Sequence, residues 1–90
     1  MAGGKIDRDA VLRTLAECDQ LGEEAFLEEY GYGPALEYFV VHDGKRYPSK
    51  AIFGIAHKFV EPGARAMRNN EFSGGEMQVA KPLRALGFEV

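Results

Sequence analysis

A single cysteine, Cys18, stands among the 90 residues. It leaves no partner for an internal disulfide and excludes a cysteine-cluster metal site. Histidine is nearly as scarce, with only His42 and His57. No third ligand accompanies them, so no metal centre is expected and hydrogen-bonded or surface histidines are the plainer reading. No apolar run approaches the ~20 residues that span a bilayer. The opening Met-Ala-Gly-Gly-Lys lacks the apolar core of a signal peptide. These features predict a cytoplasmic protein with no membrane partner. There is no repeat and no low-complexity segment, and neither a Walker A loop nor Gly-x-Gly-x-x-Gly is present. No nucleophile–base spacing or carboxylate pair supports chemistry, so no catalytic residue and no cofactor is expected.

What is present describes one small folded domain over residues 1–90. Apolar residues make up 46% of the chain, and six Phe and four Tyr supply material for a modest core. The net charge of −3 speaks against a simple nucleic-acid binder, but it hides an asymmetry. Residues 1–41 hold three Lys/Arg against nine Asp/Glu, whereas residues 42–70 hold six Lys/Arg against two acids. Charge segregated along the chain predicts an acidic and a basic face; solvated surface is the plainer alternative.

Asp7 is placed to cap a first helix, with Ile6 and Val11 at hydrophobic-staple spacing. Val11, Leu12, Leu15 and Cys18 form its apolar stripe, which makes Cys18 a structural thiol. After Leu21-Gly22 a short second helix runs from Glu23 to about Tyr30, burying Phe26 and Leu27, with Tyr30 a further candidate for the core. Gly31 can take the left-handed position that ends it, and Pro34 blocks continuation. Tyr32, between two glycines, can stack on a base or serve as a packing lid.

The organising stretch follows. Glu37-Tyr38-Phe39-Val40-Val41 has the composition of a strand, and Asp43-Gly44 is a two-residue hairpin signal. Lys45-Arg46-Tyr47 returns as a second strand, and Pro48 ends it. Ser49 can cap a helix carrying Ile52, Ile55, Ala56 and Phe59. A basic hairpin thus feeds a helix N-terminus, whose free N–H groups and dipole suit a phosphate.

Residues 61–70 read as a polar loop carrying Arg65, Arg68, Asn69 and Asn70, with a short helical turn possible over 64–68. Such side chains suit phosphates and base edges, and a plain surface loop competes with that reading. In Phe72-Ser73-Gly74-Gly75-Glu76, Ser73 and Glu76 fit a capping box. Glycines at the first two helical positions are poor helix formers, which points to close approach of a backbone or ligand. The last helix runs through Met77, Ala80, Leu83 and Leu86, with Pro82 kinking it or restarting it near Ala80. Phe88-Glu89-Val90 reads as a final strand. The order α-α-β-β-α-α-β places the chain in the α+β class, helices packed on a small antiparallel or mixed sheet.

The run Tyr38 to Ala56, with Phe72-Ser73-Gly74-Gly75 and Leu86-Gly87-Phe88-Glu89-Val90, resembles the N-terminal head domain of McrA-like, modification-dependent (type IV) HNH restriction endonucleases. The resemblance covers nearly the whole chain. It implies a non-catalytic DNA-binding module cut from a longer protein, with the HNH nuclease domain elsewhere in the parent chain. It also implies recognition of a modified base such as 5-methylcytosine, or of a phosphorothioate backbone.

On this reading Arg46, Lys50 and Arg65 or Arg68 meet phosphates of double-stranded DNA, and N–H groups at Ser49-Lys50 and Ser73-Gly74-Gly75 clamp two more. Tyr32, Tyr47 and Asn69 or Asn70 approach the base, by groove contact with the methyl group or by stacking on a flipped base. Tyr47 has a core reading as well, since alternate strand residues point inward. A different class of function stays open: a protein-interaction or dimerisation module using the acidic first helices.

Overall fold

The computed structural model describes residues 6–34 and 38–90; Glu37, expected to open the first strand, lies outside them. Helix α1 (Arg8–Leu21) begins where Asp7 accepts a hydrogen bond from the Ala10 N–H at 2.8 Å. It buries Val11, Leu15 and Cys18, while Ile6 packs against the same core. Leu12 departs from the expected stripe. It is 36% exposed, because the buried face turns through Ala10 and Thr14 instead. The Thr14 hydroxyl is accommodated there by donating to the Ala10 carbonyl at 2.8 Å. Helix α2 (Glu23–Tyr30) ends on Gly31 at φ 76°, in the left-handed region.

Strands β1 (Phe39–His42) and β2 (Lys45–Pro48) form the antiparallel hairpin, paired Phe39 to Pro48 and His42 to Lys45. Asp43 and Gly44 both take positive φ, 52° and 76°, as a type I′ turn requires. The chain then enters α3 (Ser49–Ala56), which continues as a 3₁₀ turn over His57–Phe59. Helix α3 is the centre of the molecule. It packs against α1, both strands and the 3₁₀ and π turns that follow, and Ile52 and Ile55 are fully buried.

The C-terminal third differs from expectation in three places. The capping box does not form: Gly75, not Ser73, precedes the first turn, and the Ser73 N–H donates to Gln78 Oε1 at 3.0 Å. The regular last helix is replaced by a π turn over Glu76–Ala80 and a short helix, α4 (Lys81–Ala85). Pro82 has no N–H and its ring crowds the carbonyl four residues back, so an unbroken α ladder cannot pass through it. Met77 on that turn is 69% exposed and forms no part of the stripe; Ala80 and Leu83 are buried, Leu86 packs against the core, and Val79 takes the place Met77 leaves. Finally, the expected terminal strand is one bridge, Val41 with Glu89. The class is α+β, and the described residues form four α-helices with a two-stranded antiparallel sheet.

The two charge faces partly cancel in the fold. Lys45 meets Asp19 at 2.7 Å and Lys58 meets Glu17 at 2.7 Å, each with a tyrosine, Tyr47 or Tyr30, hydrogen-bonded to the same carboxylate. These ties fasten α1 to the hairpin and to the end of α3. No described helix is long and apolar enough to cross a membrane.

Candidate anion-binding cleft

An open cleft of about 470 Å³ lies where the loop after α2, the β2–α3 junction and the Gly74-Gly75 turn converge. Six of the twelve residues singled out from sequence line it: Tyr32, Ser49, Lys50, Asn69, Gly74 and Gly75. The local sequence accounts for the convergence. Proline ends β2, so the chain turns into α3 without a linker, and the first turn of that helix, Ser49 to Ala51, becomes one wall.

No side chain caps α3. The expected Ser49 cap is replaced by a different bond: Ser49 is 3% exposed and its hydroxyl donates to the Tyr38 carbonyl at 2.9 Å. The Ser49 N–H points to the same carbonyl at 3.4 Å. The first-turn N–H groups at Lys50 and Ala51 therefore face the cleft end of the helix with its positive dipole. Lys50 adds a full charge. Its ammonium sits 5.1 Å from the Phe72 ring centroid and donates to the Asn69 carbonyl at 2.8 Å.

The opposite wall explains the two glycines. Gly75 adopts φ 119° and ψ −169°, a region closed to side chains. At Gly74 a Cβ would lie 3.2 Å from Lys50 Cδ, tighter than ordinary contact, so this position lets the lysine stem lie against the backbone. The close approach inferred from composition is thus with Lys50.

Tyr32 and Tyr47 are interior. Tyr32 is 7% exposed, its hydroxyl donates to the Met67 carbonyl at 2.6 Å, and burial pushes its ionisation upward. Tyr47 is 4% exposed, with its hydroxyl 3.0 Å from Asp19 Oδ1; burial and that carboxylate both raise it. Their burial supports the packing reading of each ring. The aromatic that sequence reasoning passed over is Tyr38, half-buried on the cleft wall. The hairpin register carried the signal: pairing Phe39 with Pro48 sets Tyr38 opposite Ser49.

The remaining candidates lie outside the cleft. Arg46 is exposed on β2 with its guanidinium 3.9 Å over the Phe39 ring. Asn70 and Ser73 are exposed. Arg65 is engaged by Glu71 through two bonds of 3.0 and 2.7 Å. Of the six cations between residues 42 and 70, Lys45, Lys58 and Arg65 are paired with carboxylates. Among the described residues Arg46, Lys50 and Arg68 are not. His42 lies beside Phe88, and His57 bonds the Phe53 carbonyl. The described residues contain no group of three or more His, Cys, Asp or Glu able to hold a metal.

A helix N-terminus without a side-chain cap, a lysine and a glycine turn meet at one open cleft of a small α+β module. The chain belongs to the ScoMcrA-like, N-terminal head domain family, whose profile matches residues 4–90. No curated protein and no solved structure matches it. Membership sets the chain in the context of ScoMcrA-like restriction proteins.

Proposed function

We propose that this domain binds double-stranded DNA, prefers duplex carrying 5-methylcytosine, and targets an HNH nuclease domain elsewhere in a cytoplasmic parent protein, taking no catalytic part itself. The observation that carries this reading is the α3 N-terminus, which opens with Lys50 onto a cleft backed by Gly74 and Gly75. A backbone phosphate fits donors of this kind. Lys50 exchanges the Asn69 carbonyl for a phosphate oxygen, and Arg46 and Arg68 hold flanking phosphates. Asn69 and Asn70 are both exposed, and their side-chain amides supply the donors and acceptors that a base edge pairs with. Tyr38, with Pro34, offers the apolar surface a methyl group needs, while Tyr32, Tyr47 and the buried Pro48 hold the scaffold. Replacing Lys50 and Arg68 together by alanine tests this. The slope of log affinity against log salt should flatten by about 2, one for each lost phosphate contact, in a domain that still unfolds cooperatively. An unaltered slope would contradict it.

A second reading has its own observation. Glu23, Glu24 and Glu28, with Leu27, Tyr32 and Pro34, line a separate acidic cleft on α2, and none of the three carboxylates has an ion-pair partner among the described residues. That surface suits a basic protein partner or a second protomer. Charge reversal at Glu23, Glu24 or Glu28 should then break an assembly and leave DNA binding in place.

A further inference from the structure

The loop beside the cleft contains an anion already seated. The Glu71 carboxylate receives the Arg65 guanidinium through both oxygens, at 3.0 and 2.7 Å, and the Arg68 main-chain N–H at 2.6 Å. A planar guanidinium fork with a convergent N–H is also the donor set that grips a phosphodiester. The Arg68 side chain leaves from the same point with no carboxylate partner among the described residues. Asn69, the next residue, lines the cleft and is bonded to Lys50. The seat is therefore contiguous with the proposed phosphate cleft.

We propose that Glu71 holds the place of a DNA phosphate: Arg65 and the Arg68 N–H form a second phosphate seat, from which a duplex already docked in the cleft displaces the carboxylate. This rests on the DNA-binding reading and deepens it. The exchange is one ion pair for another. Arg65 leaves a carboxylate for a phosphate oxygen, and Glu71 passes into water, where its charge is readily solvated. Net gain from the exchange is small for a free anion, since the carboxylate is covalently held nearby and competes at high effective concentration. A duplex anchored at Lys50 competes on equal terms, because its neighbouring phosphate is held nearby too. The device thus suppresses casual binding at Arg65 and reserves that contact for DNA seated in the cleft. Glu71 carries a lowered pKa of about 2, owing first to Arg65 and then to the Arg68 N–H, so it stays charged throughout the neutral range and opens by displacement, not protonation.

A double-mutant cycle on unmodified duplex tests the proposal. Glu71→Gln keeps an oxygen for the Arg68 N–H but removes the competing charge. It should tighten binding by roughly threefold to tenfold, and Arg65→Ala should abolish that gain. An equal gain with and without Arg65 would mean simple relief of repulsion and would overturn the proposal, as would no gain. In the unsubstituted domain the Glu71 carboxyl ¹³C resonance should move toward its solvent-exposed position as duplex is added; a fixed resonance at saturation would overturn it independently. If the unsubstituted domain binds duplex and Glu71→Gln gains nothing, the second seat fails and the DNA-binding reading stands. If neither protein binds duplex, both fall.

Discussion

At the scale of single residues, hydrogen-bonded side chains separate structural roles from available ones. Tyr32 is fixed by one bond to the Met67 carbonyl inside the core. Tyr32→Phe should leave that carbonyl without a partner and lower stability by about 1 kcal/mol in urea unfolding, with little effect on duplex affinity. Cys18 is buried, and burial together with nearby Glu23 and Asp19 raises its thiol to about 11. It should resist a thiol reagent at pH 8 in the folded protein and react promptly once urea unfolds the chain. Glu71 gives a pH signature. Its folded pKa is depressed below the ordinary 4.5 to about 2, so its stabilisation is complete above about pH 4.5 and is lost as pH falls toward 2. Melting curves over that window should decline in the parent domain and show a smaller decline in Glu71→Gln.

The element scale shows which local signals survive packing. Gly54 lies in α3, where alanine would ordinarily favour the helix by about 1 kcal/mol. Here a Cβ would come 2.1 Å from Tyr32 Oη and 2.8 Å from the Phe72 ring. Tyr32 cannot retreat without losing Met67. Gly54→Ala should therefore destabilise the domain by about 1–3 kcal/mol, measured by denaturant unfolding, because overpacking outweighs propensity. Nothing in the sequence around Gly54 announces this, since the atoms it touches come from residues 32 and 72. The same distinction governs the rest of the chain. Asp7, Gly31 and Asp43-Gly44 act through neighbours a few residues away, so the first two helices and the hairpin were readable directly. Ser49 and Ser73 offered equally good local caps, yet tertiary bonds to Tyr38 and Gln78 took their place. In the last segment Pro82 signalled a break, but whether it produced a kink, a restart or a π turn depended on packing against α3.

For the whole molecule the question is where charge and glycine come to rest. The segregation of acid and base along the sequence predicted separate faces, but Asp19 and Glu17 reach across to Lys45 and Lys58. Within residues 42–70 only Arg46, Lys50 and Arg68 are left without carboxylate partners among the described residues, half of the six cations that segment carries. Half the candidate residues meet in one cleft, as the hairpin-to-helix stretch and the Phe72–Gly75 motif together implied. Tyr38 was overlooked there because strand composition hid its position opposite Ser49. With three such cations beside the cleft and its flanks, sequence-independent affinity should be weak and salt-sensitive. Gly75→Ala checks the cleft architecture itself: at φ 119° it should cost about 1–3 kcal/mol of stability, measured by denaturant unfolding.

The central claim is that the cleft at the start of α3 reads modified duplex DNA. It is tested most directly by titrating one short duplex in three forms, unmodified, hemimethylated and fully 5-methylated at cytosine, at two salt concentrations. Preference for a methylated form by roughly tenfold, about 1.4 kcal/mol, that persists at the higher salt is the predicted result. Equal binding that fades with salt would reduce the domain to a phosphate-binding accessory. Absence of binding to every form would contradict the claim and turn attention to a phosphorothioate duplex and to the acidic face of α2.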